Sequence, residues 1–121
     1  MDDKKTLVLG ATTNPTRYAF LATTRLQEHN IAVVPVGIRD GEINGEPILL
    51  GQPEVSDVHT VTLYLNPQRQ EAYYDYILGL KPKRIIFNPG TENAKLSKVA
   101  REQGIETVVG CTLVMLSLEN Y

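Results

Sequence analysis

Two histidines, one cysteine and no tryptophan leave this chain of 121 residues with little of the side-chain chemistry that most catalytic and metal sites use. A lone cysteine makes no internal disulfide and supplies no multi-cysteine zinc site, which fits a reducing compartment. There is no apolar run of about eighteen residues, the minimum for a membrane-spanning helix. The opening MDDKK leads into a strand pattern without an apolar signal region, so the expectation is a cytoplasmic protein with no membrane partner. Basic runs are missing too. Lys and Arg total 12 against 14 Asp and Glu, for a net charge of -2. That balance argues against nucleic acid as a partner, because several phosphate contacts need clustered cations. One small anion is still served by helix ends and one or two arginines, which make local positive potential without changing the global sign.

What is present is a core-forming pattern. Hydrophobic residues make up 42% of the chain, enough for one compact domain over residues 1–121. The stretch TLVLGATTNPTRYAF, residues 6–20, organises the rest. Leu7, Val8 and Leu9 form an apolar run of the kind buried on both faces of a parallel sheet, and Gly10 ends it where the chain must turn. Asn14 and Pro15 read as the cap and first residue of a helix reaching Glu28. Free amides and aligned peptide dipoles at such a helix start favour an anion. Gly10, Ala11, Thr12 and Thr13 keep the mouth small, so a phosphate can approach the backbone, and two hydroxyls add donors.

Strand and helix patterns then alternate. The first helix places Tyr18, Ala19, Leu21, Ala22 and Leu26 on one broad face, with Phe20 opposite as an isolated surface aromatic or a partner contact. Ile31–Val36 is the second strand, and Pro35 within it suggests a sheet edge or the strand's last residues. In the excursion that follows, Asn44 and Gly45 between Ile43 and Ile48 signal a hairpin. Val61–Leu65 is the third strand. Asn66 and Pro67 repeat the cap-and-proline pair before a helix burying Ala72, Tyr73, Tyr76, Ile77 and Leu80. Arg84–Phe87 is the fourth strand, followed by a turn through Asn88, Pro89, Gly90 and Thr91 and a helix carrying Leu96, Val99 and Ala100 that ends at Gly104. Glu106–Val109 is the fifth. The tail CTLVMLSLENY reads as a short helix, buried or docked against another subunit.

Five strands alternating with helices predict an α/β fold: a Rossmann-like, doubly wound, five-stranded parallel sheet with helices on both faces. Ligands of such sheets bind outside the carboxyl ends of the strands. Here those loops are 10–14, 37–40, 66–69, 88–93 and 110–112. A dinucleotide fingerprint would add GxGxxG after the first strand and an acid closing the second, and neither is present. The second strand runs out instead through Gly37 and Arg39. Arginine there suits a phosphorylated ribose, which favours NADP or coenzyme A over NAD, or is a solvated loop charge.

The ordered elements GATTNPTR, PVGIR, NPGTEN and VVGCTL resemble the coenzyme A-binding domain family, whose stand-alone members are similar to the amino-terminal domain of the succinyl-CoA synthetase α subunit. The resemblance spans essentially the whole chain. It implies coenzyme A or a related nucleotide across the carboxyl ends of the strands. Carried over by position, Gly10, Ala11, Thr12, Pro15 and Arg17 match the phosphate corner, Arg39 the basic residue after the second strand, and Asn88, Gly90 and Asn93 the fourth loop. Gly37 stands where the family pattern has asparagine, and residues 40–50 follow no part of that pattern.

No catalytic constellation emerges. His29 falls near the end of the first helix and His59 before the third strand, both away from the expected crevice. Glu92, a carboxylate in a crevice loop, reads as a favourable charge in a helix first turn. The resemblance implies that the phosphohistidine chemistry of the related ligase, carried outside this domain, is not expected of these residues. The expectation is a non-catalytic module binding coenzyme A or acyl-CoA as a sensor, carrier or regulatory subunit. A small NADP- or nucleotide-dependent enzyme and a ligand-free homodimeric interaction domain are the alternatives. The expected ligand contacts are Gly10 to Pro15, Arg17, Gly37, Arg39, Asn66, Asn88, Gly90 and Asn93. Cys111, just past the fifth strand, is a candidate redox thiol toward the thiol of coenzyme A, or a packed apolar residue.

Overall fold

Six strands form the main sheet, and every pairing within it is parallel. The computed structural model describes residues 4–121. Its strands are β1 (Thr6–Leu9), β2 (Val33–Gly37), β3 (Glu42–Ile43), β4 (Glu46–Pro47), β5 (Leu49–Leu50), β6 (Thr60–Leu63), β7 (Arg84–Phe87) and β8 (Glu106–Val109). The sheet order is β5-β2-β1-β6-β7-β8, while β3 and β4 pair antiparallel as a separate hairpin. Helices are α1 (Tyr18–Glu28), α2 (Pro67–Gln70), α3 (Tyr74–Gly79), α4 (Ala94–Glu102) and α5 (Thr112–Ser117), with one 3-10 turn at Glu71–Tyr73.

The alternation of side chains along each strand divides the core into two layers. Leu7, Leu9, Val61, Leu63, Ile85 and Phe87 face Ile77 of α3 and Leu96 and Ala100 of α4. Val8 and Val33 face Ala19 and Leu26 of α1 and Leu116 of α5. Helices therefore cover both faces, as the sequence predicts. The strand count differs, because the sheet has six strands, not five. The extra one is β5, a two-residue pairing of Leu49 and Leu50 with Val36 and Gly37. Two residues carry no periodicity, and a polar excursion hides them.

The hairpin within that excursion forms as its residues require. Asn44 and Gly45 both have positive φ, 50° and 88°, which a two-residue primed turn needs. Ile43 and Ile48 beside it are buried. β2 begins two residues later than expected and β6 ends two earlier. β2 is one strand in from the edge. Ala32 and Val36 direct their carbonyls to β1, so Pro35 faces the side where β5 pairs only Val36 and Gly37, and its missing amide interrupts no ladder.

The start of α1 is a correction. Asn14 caps no helix and Pro15 opens none, because the Asn14 Oδ1 accepts from the Thr16 amide at 3.0 Å and the Thr16 hydroxyl at 2.7 Å, closing an Asx turn before the helix begins at Tyr18. The buried stripe of α1 is Ala19, Ala22, Thr23 and Leu26. Tyr18 is 70% exposed, and Phe20 packs half-buried against the α1 side of the core. Asn66 does cap α2, accepting from the Arg69 amide at 2.9 Å, but the helix breaks into α2, the 3-10 turn and α3, and Ala72 is exposed. In α5, Thr112 and Leu116 are buried while Val114 and, at the C-cap, Leu118 are exposed.

Candidate functional site

From β1 the chain runs outward to β2 and β5, then returns to the far side of β1 for β6, β7 and β8. The strand order therefore reverses between β1 and β6, and the crevice of an open parallel sheet lies at the carboxyl ends of those two strands. Its walls are the turn from β1 into α1 and the turn from β6 into α2. They touch, since Tyr64 donates its amide to the Leu9 carbonyl at 2.9 Å. A Cβ on Gly10, which has φ +100°, would sit 3.1 Å from the Tyr64 carbonyl group.

Within the first turn, the Gly10 and Ala11 amides both donate to the Val36 carbonyl at 2.9 Å, so neither is available to a ligand. Thr12 Oγ1 accepts from the Asn14 amide. Among the described residues, the amides of Thr12, Thr13, Tyr18 and Ala19 have no hydrogen-bond partner. Arg17 occupies the N-cap of α1 without a side-chain cap, and the first turn carries no acidic residue. Thr13, Asn14, Pro15 and Arg17 are exposed. An uncapped helix start is left open to solvent beside the switch point. Those free amides and the helix dipole form a donor set suited to a phosphate.

The loop after β2 leans onto this turn. A Cβ on Gly37 would lie 2.4 Å from the Ala11 carbonyl oxygen, so glycine is the residue this approach requires. A Cβ on Gly41 would lie 2.7 Å from the Thr13 side chain. Arg39 is exposed, as is Ile38 before it.

Asn88 and Asn93 belong to the scaffold. Asn88 is 1% exposed, its Nδ2 donates to Thr62 Oγ1 at 2.7 Å and to the Leu63 carbonyl at 2.8 Å, and its Oδ1 accepts from the Thr112 amide at 2.9 Å. One side chain thereby ties β7, β6 and α5 together. Asn93 caps α4 through its Oδ1 to the Leu96 amide at 3.0 Å and gives its Nδ2 to Gln70 Oε1 and the Tyr74 hydroxyl. Buried Gln70 in turn donates to the Leu65 and Thr91 carbonyls. Gly90 has φ +90°, and its amide is taken by Glu92 Oε1 at 2.9 Å. Glu92 thus closes its own loop and sits before α4, outside the helix first turn. Asn66 is exposed at the mouth of the second turn.

Thr62, Thr112 and Tyr64 went unread in the sequence. The Thr62 and Thr112 hydroxyls bond at 2.7 Å, fully buried. The Tyr64 hydroxyl lies beside them, buried but without a partner of bonding geometry among the described residues, and burial pushes its pKa up. A threonine inside a strand and a tyrosine at its end look like ordinary β residues, so no local signal marks them. Cys111 is half-buried at the N-cap of α5, next to Thr112. His29 and His59 stand apart, one at the end of α1 and the other entering β6. Among the described residues no cluster of His, Cys, Asp or Glu could hold a metal ion, and no helix is long and apolar enough to cross a membrane.

A family model described as a CoA binding domain matches residues 4–117. The chain belongs to that CoA-binding family. A crystal structure of an uncharacterized protein is 54% identical over 100% of both chains, with a TM-score of 0.96. A hypothetical protein from Pyrococcus horikoshii is 26% identical, with a TM-score of 0.85 over 96% of this chain and 82% of that one. A Thermus thermophilus structure at 23% identity and TM-score 0.87, covering 98% and 91%, shares the fold. No curated protein matches.

Proposed function

We propose that the protein binds coenzyme A or acyl-CoA as a non-catalytic module, a sensor, carrier or regulatory subunit, with the ligand's phosphates at the β1–α1 turn. The observation that supports this most is the uncapped start of α1, where the Thr12, Thr13, Tyr18 and Ala19 amides are free and no acidic side chain opposes an anion. In this reading Arg17 and Arg39 add mobile positive charge, with Arg39 meeting the phosphorylated ribose. Gly10 and Gly37 act by bringing the backbone walls close, and Asn66 borders the mouth. Asn88, Gly90 and Asn93 set the positions of the loops and touch no ligand with their amide groups. The NADP reading shares the ribose phosphate, so the two ligands are compared directly.

Melting midpoints with coenzyme A, dephospho-coenzyme A, NADP and NAD at matched concentrations test the reading. Coenzyme A at about 100 times its dissociation constant adds roughly 2.7 kcal/mol, a rise of several degrees for a domain of this size. The expected order places coenzyme A first and NAD last. An NAD shift equal to that of coenzyme A would sink the assignment.

A further inference from the structure

At the opposite edge of the sheet, three adjacent strands are entered through basic residues in register. Lys5 precedes β1, His59 precedes β6 and Lys83 precedes β7. Backbone bonds lock the row, since the His59 amide donates to the Lys5 carbonyl and the Lys83 amide to the His59 carbonyl, each at 2.9 Å. Neighbouring strands lie about 4.8 Å apart, so the row spans about 10 Å. All three side chains line one concavity of about 730 Å³, which Lys81 also borders. Its wall includes Val58 and Leu80, and Asp57 is the single acid lining it. In a chain of net charge -2, this is a concentrated patch of the minority sign.

We propose that this amino-edge concavity is a second ligand site, distinct from the carboxyl-edge crevice, and that it takes a small oligophosphate anion lying along the Lys5–His59–Lys83 row. Valence and length set the class. Two lysines about 10 Å apart with an imidazole between them are matched by linked phosphoryl groups and only in part by one phosphate. The Lys5 ammonium is held in place by the Ser56 carbonyl at 2.9 Å, and His59 Nδ1 contacts Thr60 Oγ1 at 2.7 Å, leaving Nε2 for the ligand. Burial and the nearby cations Arg84, Lys4 and Lys83 hold the His59 pKa low against a smaller opposing effect of Glu106. Lys5 and Lys81 add positive charge and Asp57 negative charge around the same concavity. An anion there relieves that crowding, so its binding is coupled to proton uptake by His59.

The test is a titration of the full chain with inorganic tripolyphosphate, followed by amide and imidazole NMR shifts at constant ionic strength. Saturable shifts should centre on residues 5, 57–59 and 81–83, with the His59 titration midpoint moving up in the complex. Tripolyphosphate should bind at least tenfold more tightly than orthophosphate. Lys81→Glu and Lys83→Glu, both at exposed positions, should each weaken binding at least tenfold while leaving coenzyme A melting shifts unchanged. Shifts confined to residues 10–19, equal affinities for the two phosphates, or linear shifts matched by sodium chloride would each overturn the proposal. Because the coenzyme A shifts are read separately, either site can fail alone.

Discussion

Asn88 holds three elements together at the carboxyl ends of the strands. Its three hydrogen bonds reach Thr62, Leu63 and Thr112, so truncating it orphans a buried amide and a buried carbonyl at once, while the Thr62 hydroxyl keeps its bond to Thr112. Leaving buried polar groups unsatisfied costs roughly 1–3 kcal/mol each in isolation, and partial relaxation should hold Asn88→Ala to about 2–4 kcal/mol. Chemical denaturation should show that loss. A change below about 0.5 kcal/mol would mean that the network is not formed. Cys111 hangs from the same network through Thr112. If the thiol end of coenzyme A reaches it, diamide oxidation should join the two sulfurs, each thiol giving up one hydrogen to the oxidant. Intact mass should then show one adduct, lost with dithiothreitol and absent in Cys111→Ser. An adduct that forms only after unfolding in urea would make Cys111 a packing residue.

At the scale of elements, two cap-and-proline pairs had different outcomes for a physical reason. After Asn66 and Pro67, the Arg69 amide reaches the Asn66 Oδ1 and a helix starts. After Asn14 and Pro15, the β-branched Thr16 puts both its amide and hydroxyl on that oxygen, and the turn closes early. Asn66→Ala should therefore cost about 1 kcal/mol as a lost helix cap. Asn14→Ala should leave the α1 amides unchanged in hydrogen-exchange protection and loosen only residues 14–17; a loss of protection through α1 would restore Asn14 as its cap. The same contrast says what was legible. Apolar runs such as Ile85–Phe87 announce a strand by themselves, and the hairpin is written in Asn44 and Gly45. β5 was not legible, because two leucines in a polar excursion pair only once β2 is beside them. The glycines of the crevice were readable as turn residues. That Asn88 and Asn93 spend their amides inside was not, since it depends on contacts from β6, α5 and Gln70, all distant in sequence.

At the scale of the whole molecule, four groups among the described residues have displaced pKa values that bear on the pH dependence of stability, and burial is the leading cause for each. His59 is lowered from 6.5 in the folded state. The unfolded chain takes up the proton first, so stability present above about pH 6.5 is lost as pH falls toward the folded value. Tyr64, Tyr76 and Tyr121 are raised from 10.0. The unfolded chain then releases protons first, and stability present below about pH 10 is lost as pH rises beyond it. These groups predict a plateau between those limits, with two separable flanks. His59→Gln should flatten the first loss on the acid side, and Tyr64→Phe should flatten the alkaline side. Because the Tyr64 hydroxyl makes no hydrogen bond among the described residues, removing it should cost within about 0.5 kcal/mol at pH 8, or add stability. Urea midpoints of the three proteins from pH 5 to 11 decide it. A Tyr64→Phe protein that loses more than about 1 kcal/mol at pH 8 would show that the hydroxyl has a partner, and the buried pair Thr62 and Thr112 beside it would be the first place to look.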